Sequence, residues 1–122
     1  MPSGDASMSD WLRIWSEVSR RHIAAKDSQG ATLELLGLYA ELDPNERRAA
    51  NEDLFEALRT GDETQRYDSL AIISKFKLAE AMPYLKELGA RLQLDGSPGA
   101  PFELVWVQGI IGGLLLGDAT PT

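Results

Sequence analysis

A weak internal echo narrows the fold of this chain more than any other feature. The segment Leu36-Gly-Leu-Tyr-Ala-Glu-Leu-Asp-Pro-Asn-Glu46 returns about 34 residues later as Leu70-Ala-Ile-Ile-Ser-Lys-Phe-Lys-Leu-Ala-Glu80. In that register Leu36 falls on Leu70, Leu42 on Phe76, Glu46 on Glu80, Leu54 on Leu88 and Leu58 on Leu92. A period of this size is the length of a helix–turn–helix unit. Such a unit cannot bury its apolar face alone, so it stacks on a neighbour. The expectation is an all-α fold of about six helices in antiparallel pairs, stacked as a short α-solenoid.

The helices follow from apolar spacing and cap chemistry. Trp11, Ile14, Trp15, Val18 and His22 recur at steps of three and four, which marks one face of a helix capped by Ser9 or Asp10 and ending near Lys26. Asp27-Ser-Gln-Gly30 reads as a turn. A second helix over 31–42 carries leucines on more than one face and is expected between neighbours on both sides, with Gly37 at a close helix approach. Asp43-Pro-Asn-Glu46 opens a third: Asp43 caps, Pro44 sits where no N–H is missed, and Glu46 completes a capping box. It runs to about Thr60, with Gly61 as a left-handed stop. Asp62 caps a fourth helix that buries Tyr67, Leu70, Ile73 (or Ala71) and Phe76. A fifth, over 79–94, holds Pro83 in its first turn and buries Ala81, Leu85, Leu88 and Leu92. After the Gly/Pro-rich loop at 95–101, Pro101 opens a last helix with Leu104, Val105, Val107, Ile110, Ile111 and Leu114. The domain reading is a disordered leader over 1–8, one helical domain over 9–117 and a frayed tail over 118–122.

Charge and composition limit the function. The 122 residues carry a net charge of −7. Nucleic-acid binding and anionic membrane surfaces both draw on cationic residues, so neither is expected as a partner. A basic protein is favoured instead, because opposite charge speeds encounter; the same charge also serves solubility alone. There is no cysteine, which excludes disulfides and thiolate zinc sites and fits a cytoplasmic location. The start of the chain lacks the basic and apolar regions of a signal peptide, and the apolar run over 104–116 is too short to span a bilayer.

The stretch Gln65-Arg-Tyr-Asp-Ser-Leu-Ala-Ile-Ile-Ser-Lys-Phe76, followed by Ala79-Glu-Ala-Met-Pro-Tyr-Leu-Lys-Glu-Leu88, resembles a HEAT-type helical repeat. Arg66 stands near that family's arginine position. Glu80, Ala81, Pro83 and Leu85 stand in the opening of its second helix. Over 31–58 only the leucines match, and the proline is missing. The resemblance implies a HEAT-like α-solenoid and a role as an adaptor or scaffold. Small acidic members of that kind also occur among bacterial immunity proteins, which cover a toxin domain.

Candidate sites are few. From Asp43 to Glu63 there are seven acids against three arginines. Glu46, Asp53 and Glu56 share one side of a helix, and Asp62 and Glu63 follow at the turn. This side reads either as a docking surface for a basic partner or as a solvated face with caps at both ends. Trp11 and Trp15 share a face and read as core. Trp106 is out of phase with its neighbours and is the exposed candidate anchor. His22, the one histidine, lacks a nucleophile and an orienting acid in any recognisable pattern, and is placed at the edge of the first helix's apolar face. Gly109, Gly113 and Gly117 are four apart, which reads as close packing on another backbone or an early helix break. No catalytic, cofactor or metal residues are expected. The expected function is therefore binding of a protein. The first form is an immunity-type protein that neutralises a basic toxin or nuclease domain through Glu46, Asp53, Glu56, Asp62, Glu63 and Trp106. The alternative is an adaptor that binds through its apolar C-terminal helix, as a homodimer through 104–116.

Overall fold

A computed structural model describes residues 10–119, and every regular element among them is helical. The order is α1 (Asp10–Ala24), α2 (Ser28–Ala40), α3 (Pro44–Thr60), α4 (Glu63–Phe76), a single 3₁₀ turn (Ala79–Ala81), α5 (Met82–Leu94) and α6 (Ala100–Ala119). The expected all-α class with six helices is what the chain adopts. The proposed leader over 1–8 lies outside the described residues. So do residues 120–122 of the proposed tail, whereas 118 and 119 are the last residues of α6.

Two compact units divide between Glu56 and Ala57, inside α3. In the first, α1 and α2 pack together. Trp11, Trp15, Val18, Leu35, Tyr39, Ala50 and Leu54 are buried there. The Trp11 ring lies 6.3 Å from Trp15 and meets Tyr39 edge-on at 5.9 Å, an arrangement that suits the ring quadrupoles. Tyr39 sends its hydroxyl to Asn51 Oδ1 at 2.6 Å and carries the Arg47 guanidinium over its ring at 5.1 Å. The buried phenol thus keeps a polar partner, which removes the cost of desolvating it.

In the second unit α6 packs on both α4 and α5. Leu70, Ile72, Ile73, Leu85, Leu88, Val107, Ile110 and Leu114 form its buried apolar set. The echo survives in burial: Leu54 and Leu88 are both buried, Leu58 and Leu92 likewise, Leu42 and Phe76 are both half-buried, and Glu46 and Glu80 are both exposed. Leu36 is half-buried where Leu70 is fully so. Helices α3 and α5 also end 34 residues apart, at Thr60 and Leu94.

Several local expectations are corrected by cap chemistry. The supposed turn at 27–30 is a helix start: Asp27 caps α2 and accepts from the Gly30 N–H at 2.9 Å. Helix α1 stops at Ala24 because Lys26 takes the left-handed conformation, with Lys26 N–H on Ile23 O and Asp27 N–H on His22 O, a Schellman closure. Gly61 is not left-handed; no described glycine is. Glycine is needed there for space, since a Cβ would sit 2.6 Å from the Ala57 carbonyl oxygen. The left-handed stop falls instead on Lys77 (φ 54), which ends α4. Helix α2 is not covered all round, because Leu33 is 63% exposed. Gly37 makes no close approach: a Cβ there would meet nothing within 4 Å. The Asp43–Glu46 and Asp62–Gln65 capping boxes both form, and Pro83 lies in the first turn of α5.

Candidate functional site

Helix α6 has two faces of opposite character. Ala100, Glu103, Val107, Ile110 and Leu114, spaced three and four apart, are all buried. On the far side Phe102, Val105, Gly109, Gly112 and Leu116 follow the same spacing, and all are exposed except the half-exposed Gly112. Phe102 is 79% exposed, Val105 69% and Leu116 68%. Each spacing is the seam of a helix that packs on another helix. One seam is used inside the chain; the other faces solvent.

An ion pair with a buried carboxylate joins α6 to α4. The Glu103 carboxylate, 2% exposed, accepts from Arg66 Nε at 2.6 Å and from a terminal guanidinium nitrogen at 2.9 Å. A further Arg66 nitrogen donates to the Gly61 carbonyl at 3.2 Å. The hydrogen bonds that Arg66 donates to Glu103 hold the Arg66 pKa above its ordinary value. A planar two-point pair of this kind sets rotation as well as distance. Helix α5 is tied similarly: Arg91 donates to the terminal carbonyls of α3, at Arg59 (2.9 Å) and Leu58. The cation meets the negative end of that helix.

Beside the outer seam lies a groove of about 460 Å³ between the end of α4 and α6. Ser74 and Lys77 line one wall; Val105, Trp106, Gly109 and Gly113 line the other. Trp106 is 36% exposed and is held by an edge-on contact with Tyr67 at 5.4 Å. It is the exposed member of the three tryptophans, as its phase indicated; Trp11 and Trp15 are buried. The glycines do not mark close packing within the chain. A Cβ at Gly109, Gly112 or Gly113 would meet nothing within 4 Å, so none of them admits a neighbouring helix of this chain, and Gly109 and Gly113 leave room in the groove. The helix does not break at them. Among the described residues Lys77 is the one charged group in the lining, and its left-handed backbone is one that glycine would adopt more cheaply.

The acidic candidates are distributed over both units. Glu46 and Glu56 are exposed on α3 and Asp53 is half-buried, all in the first unit. Glu46 Oε1 accepts from the Asp43 N–H at 2.9 Å, so this carboxylate closes a helix end. Asp62 and Glu63 belong to the second unit. Asp62 caps α4, and Glu63 accepts from the Tyr67 hydroxyl at 3.5 Å. Two of the five carboxylates thus serve helix starts.

The remaining polar cluster is structural. His22 Nε2 lies 2.8 Å from Glu34 Oε1, and Arg21 donates to Glu34 Oε2 at 2.7 Å. Arg21 first, then His22, lowers the Glu34 pKa by hydrogen bonding. The cluster ties α1 to α2. A smaller depression of about 280 Å³ in the first unit is lined by Trp11, Ile14, Leu42 and Glu46, among others. Among the described residues no three His, Asp or Glu side chains gather as a metal site, and no helix is long and apolar enough to cross a membrane. The Arg66–Glu103 pair was not legible as a pair, since its partners lie 37 residues apart in sequence. The one available signal was an acid, Glu103, in phase with Val107, Ile110 and Leu114. No family model, curated protein or solved structure matches the chain.

Proposed function

We propose that this chain is a non-enzymatic protein-binding module of the adaptor kind, and that its binding surface is the outer face of α6 with the adjoining groove. The supporting observation is where exposed apolar bulk lies. Phe102, Val105, Trp106, Leu115 and Leu116 are all on α6, while Ile23, Leu33 and Leu94 are single residues on three other segments. A contiguous apolar patch with a polar surround is the usual mark of a protein contact. A half-exposed tryptophan beside an open groove is a natural anchor for one. The HEAT-type reading of 65–88 belongs to this proposal.

A photo-crosslinking residue at position 105, expressed in the native cell, tests this. A defined adduct identified by mass spectrometry is expected, with none from the same residue at Leu94. Equal adduct patterns at both positions would remove α6 as the binding face.

A second reading, an immunity-type protein that covers a basic toxin or nuclease domain, draws on the exposed Glu52 and Glu56 of α3. It predicts growth rescue when the product of a neighbouring toxin gene is expressed. It also predicts partner affinity that falls with salt and with Glu52→Lys plus Glu56→Lys. Rescue by that charge-reversed variant at full strength would exclude this surface.

A further inference from the structure

We infer that the occupant of the outer α6 face is the same face of a second copy of this chain, packed antiparallel about a twofold axis at Gly109. This rests on the reading of that face as a binding surface and names its partner.

The seam is self-complementary in one direction only. Three of its bulky residues, Phe102, Val105 and Trp106, precede Gly109; its gaps, Gly112 and Gly113, follow it, and Leu116 closes the far end. Turned antiparallel about Gly109, Val105 lies over Gly113 of the second copy and Trp106 over Gly112. Phe102 then meets Leu116 of the second copy, and Gly109 meets Gly109. Val105 and Trp106 thus enter the space over the glycines, Phe102 packs on Leu116, and each of these contacts occurs twice about the axis at Gly109, as a twofold interface requires. A parallel pair would set Phe102 on Phe102 and stack Gly109, Gly112 and Gly113 all on themselves, leaving a void that forfeits packing contacts, where the antiparallel pair leaves only Gly109 on Gly109. The room is real, because the glycine positions look into open space.

Charge does not oppose this pairing. From Leu104 to Leu116 there is no ionisable residue, although the chain as a whole carries −7. Glu103 is buried against Arg66 and does not face the second copy. A lipid surface is the other taker for an apolar helix face, but such helices carry Lys and Arg on their polar side, and α6 has neither.

The area suffices for a modest dimer. At their observed exposures the four large seam residues offer on the order of 500 Å² per copy. A pair then buries roughly 1,000 Å², the lower bound of a specific interface, with affinity expected in the micromolar range.

The cysteine-free chain permits a direct test. Single variants Phe102→Cys, Leu116→Cys and Gly109→Cys are oxidised mildly, alone and mixed. Gly109→Cys is expected to crosslink to itself, and Phe102→Cys to crosslink with Leu116→Cys in the mixture but poorly alone. Efficient self-crosslinking of Phe102→Cys and of Leu116→Cys, with none in the mixture, would overturn the antiparallel geometry. In sedimentation equilibrium up to about 300 µM, the native chain is expected to dimerise. Gly113→Leu, whose Cβ would meet nothing within 4 Å in its own chain, is expected to weaken that association at least about tenfold with unchanged circular dichroism. A native chain that stays monomeric throughout overturns this inference. If position 105 then still captures one defined foreign protein in the cell, the binding-module reading survives; if it captures nothing, both fail.

Discussion

Replacing the three glycines of the outer seam with alanine should stabilise this protein, and by an amount set by their surroundings. Gly109, Gly112 and Gly113 lie inside α6, and an added Cβ at each meets nothing within 4 Å. There is no steric penalty to offset the gain in helix propensity, which is about 0.5–1 kcal/mol per glycine. The triple variant should therefore gain about 1.5–3 kcal/mol. For a chain of this length each kcal/mol raises Tm by roughly 3–6 °C, so the melt should move up by roughly 5–18 °C. Thermal unfolding followed at 222 nm, at about 2 µM protein so that self-association contributes little, reads this directly. Two other glycines serve as internal contrasts. At Gly61 the Cβ would lie 2.6 Å from a backbone oxygen, and at Gly30 it would lie 2.1 Å from the capping Asp27 carboxylate. Alanine should destabilise at both, by about 1 kcal/mol or more where the cap is lost. A fall in Tm for any of the three seam variants would mean that those positions are packed, and the open-face description of α6 would be wrong.

The Arg66–Glu103 pair, with its buried carboxylate, gives an asymmetric prediction. Arg66→Ala, which strands the buried Glu103 carboxylate, should cost about 3–5 kcal/mol in chemical denaturation, while Arg66→Met with Glu103→Leu should recover most of that loss; equal losses would show that the buried charge is not the cause. Lys77→Gly should raise stability by about 1 kcal/mol, because glycine takes the left-handed stop without strain, and an unchanged or lower midpoint would contradict it. Leu70→Ala, at a fully buried site, should cost about 2–5 kcal/mol, and a loss below about 1 kcal/mol would place Leu70 outside a packed core. Glu34 has a folded pKa below its ordinary 4.5, held down chiefly by Arg21. Its contribution is thus complete above the unfolded value and disappears as pH falls through the folded one. Glu34→Gln should make the acid limb of the stability curve shallower below about pH 5, and an identical limb would refute that assignment.

The fold was legible where one local rule dominated. Asp43, Pro44 and Glu46 announced a helix start, and both the box and the helix formed. The inner stripe Ala81, Leu85, Leu88 and Leu92 followed from spacing alone. Legibility failed where one residue type serves two needs. Gly61 has the composition of a left-handed stop, yet it is required by the crowding of the Ala57 carbonyl. Lys26 and Lys77, which no propensity rule selects, take the left-handed positions instead. Leu33 has the identity of a core residue but faces solvent, because burial depends on which neighbours arrive. The site divides the same way. Trp106 was placed outside by its phase, and it is exposed. The glycines of α6 announced close packing, but whether the neighbour belongs to the same chain is a tertiary fact. The acidic residues showed their charge in sequence but not that Glu46 and Asp62 close helix ends.

The two-faced character of α6 is measured most directly by thiol reactivity at adjacent phases of the helix. Val105→Cys and Val107→Cys, each in the otherwise cysteine-free chain, are labelled in the folded state at low concentration. Position 105 is expected to react at nearly the rate of an unfolded thiol, and position 107, which is fully buried, at least about a hundredfold more slowly. Equal rates, or faster labelling at 107, would contradict the account.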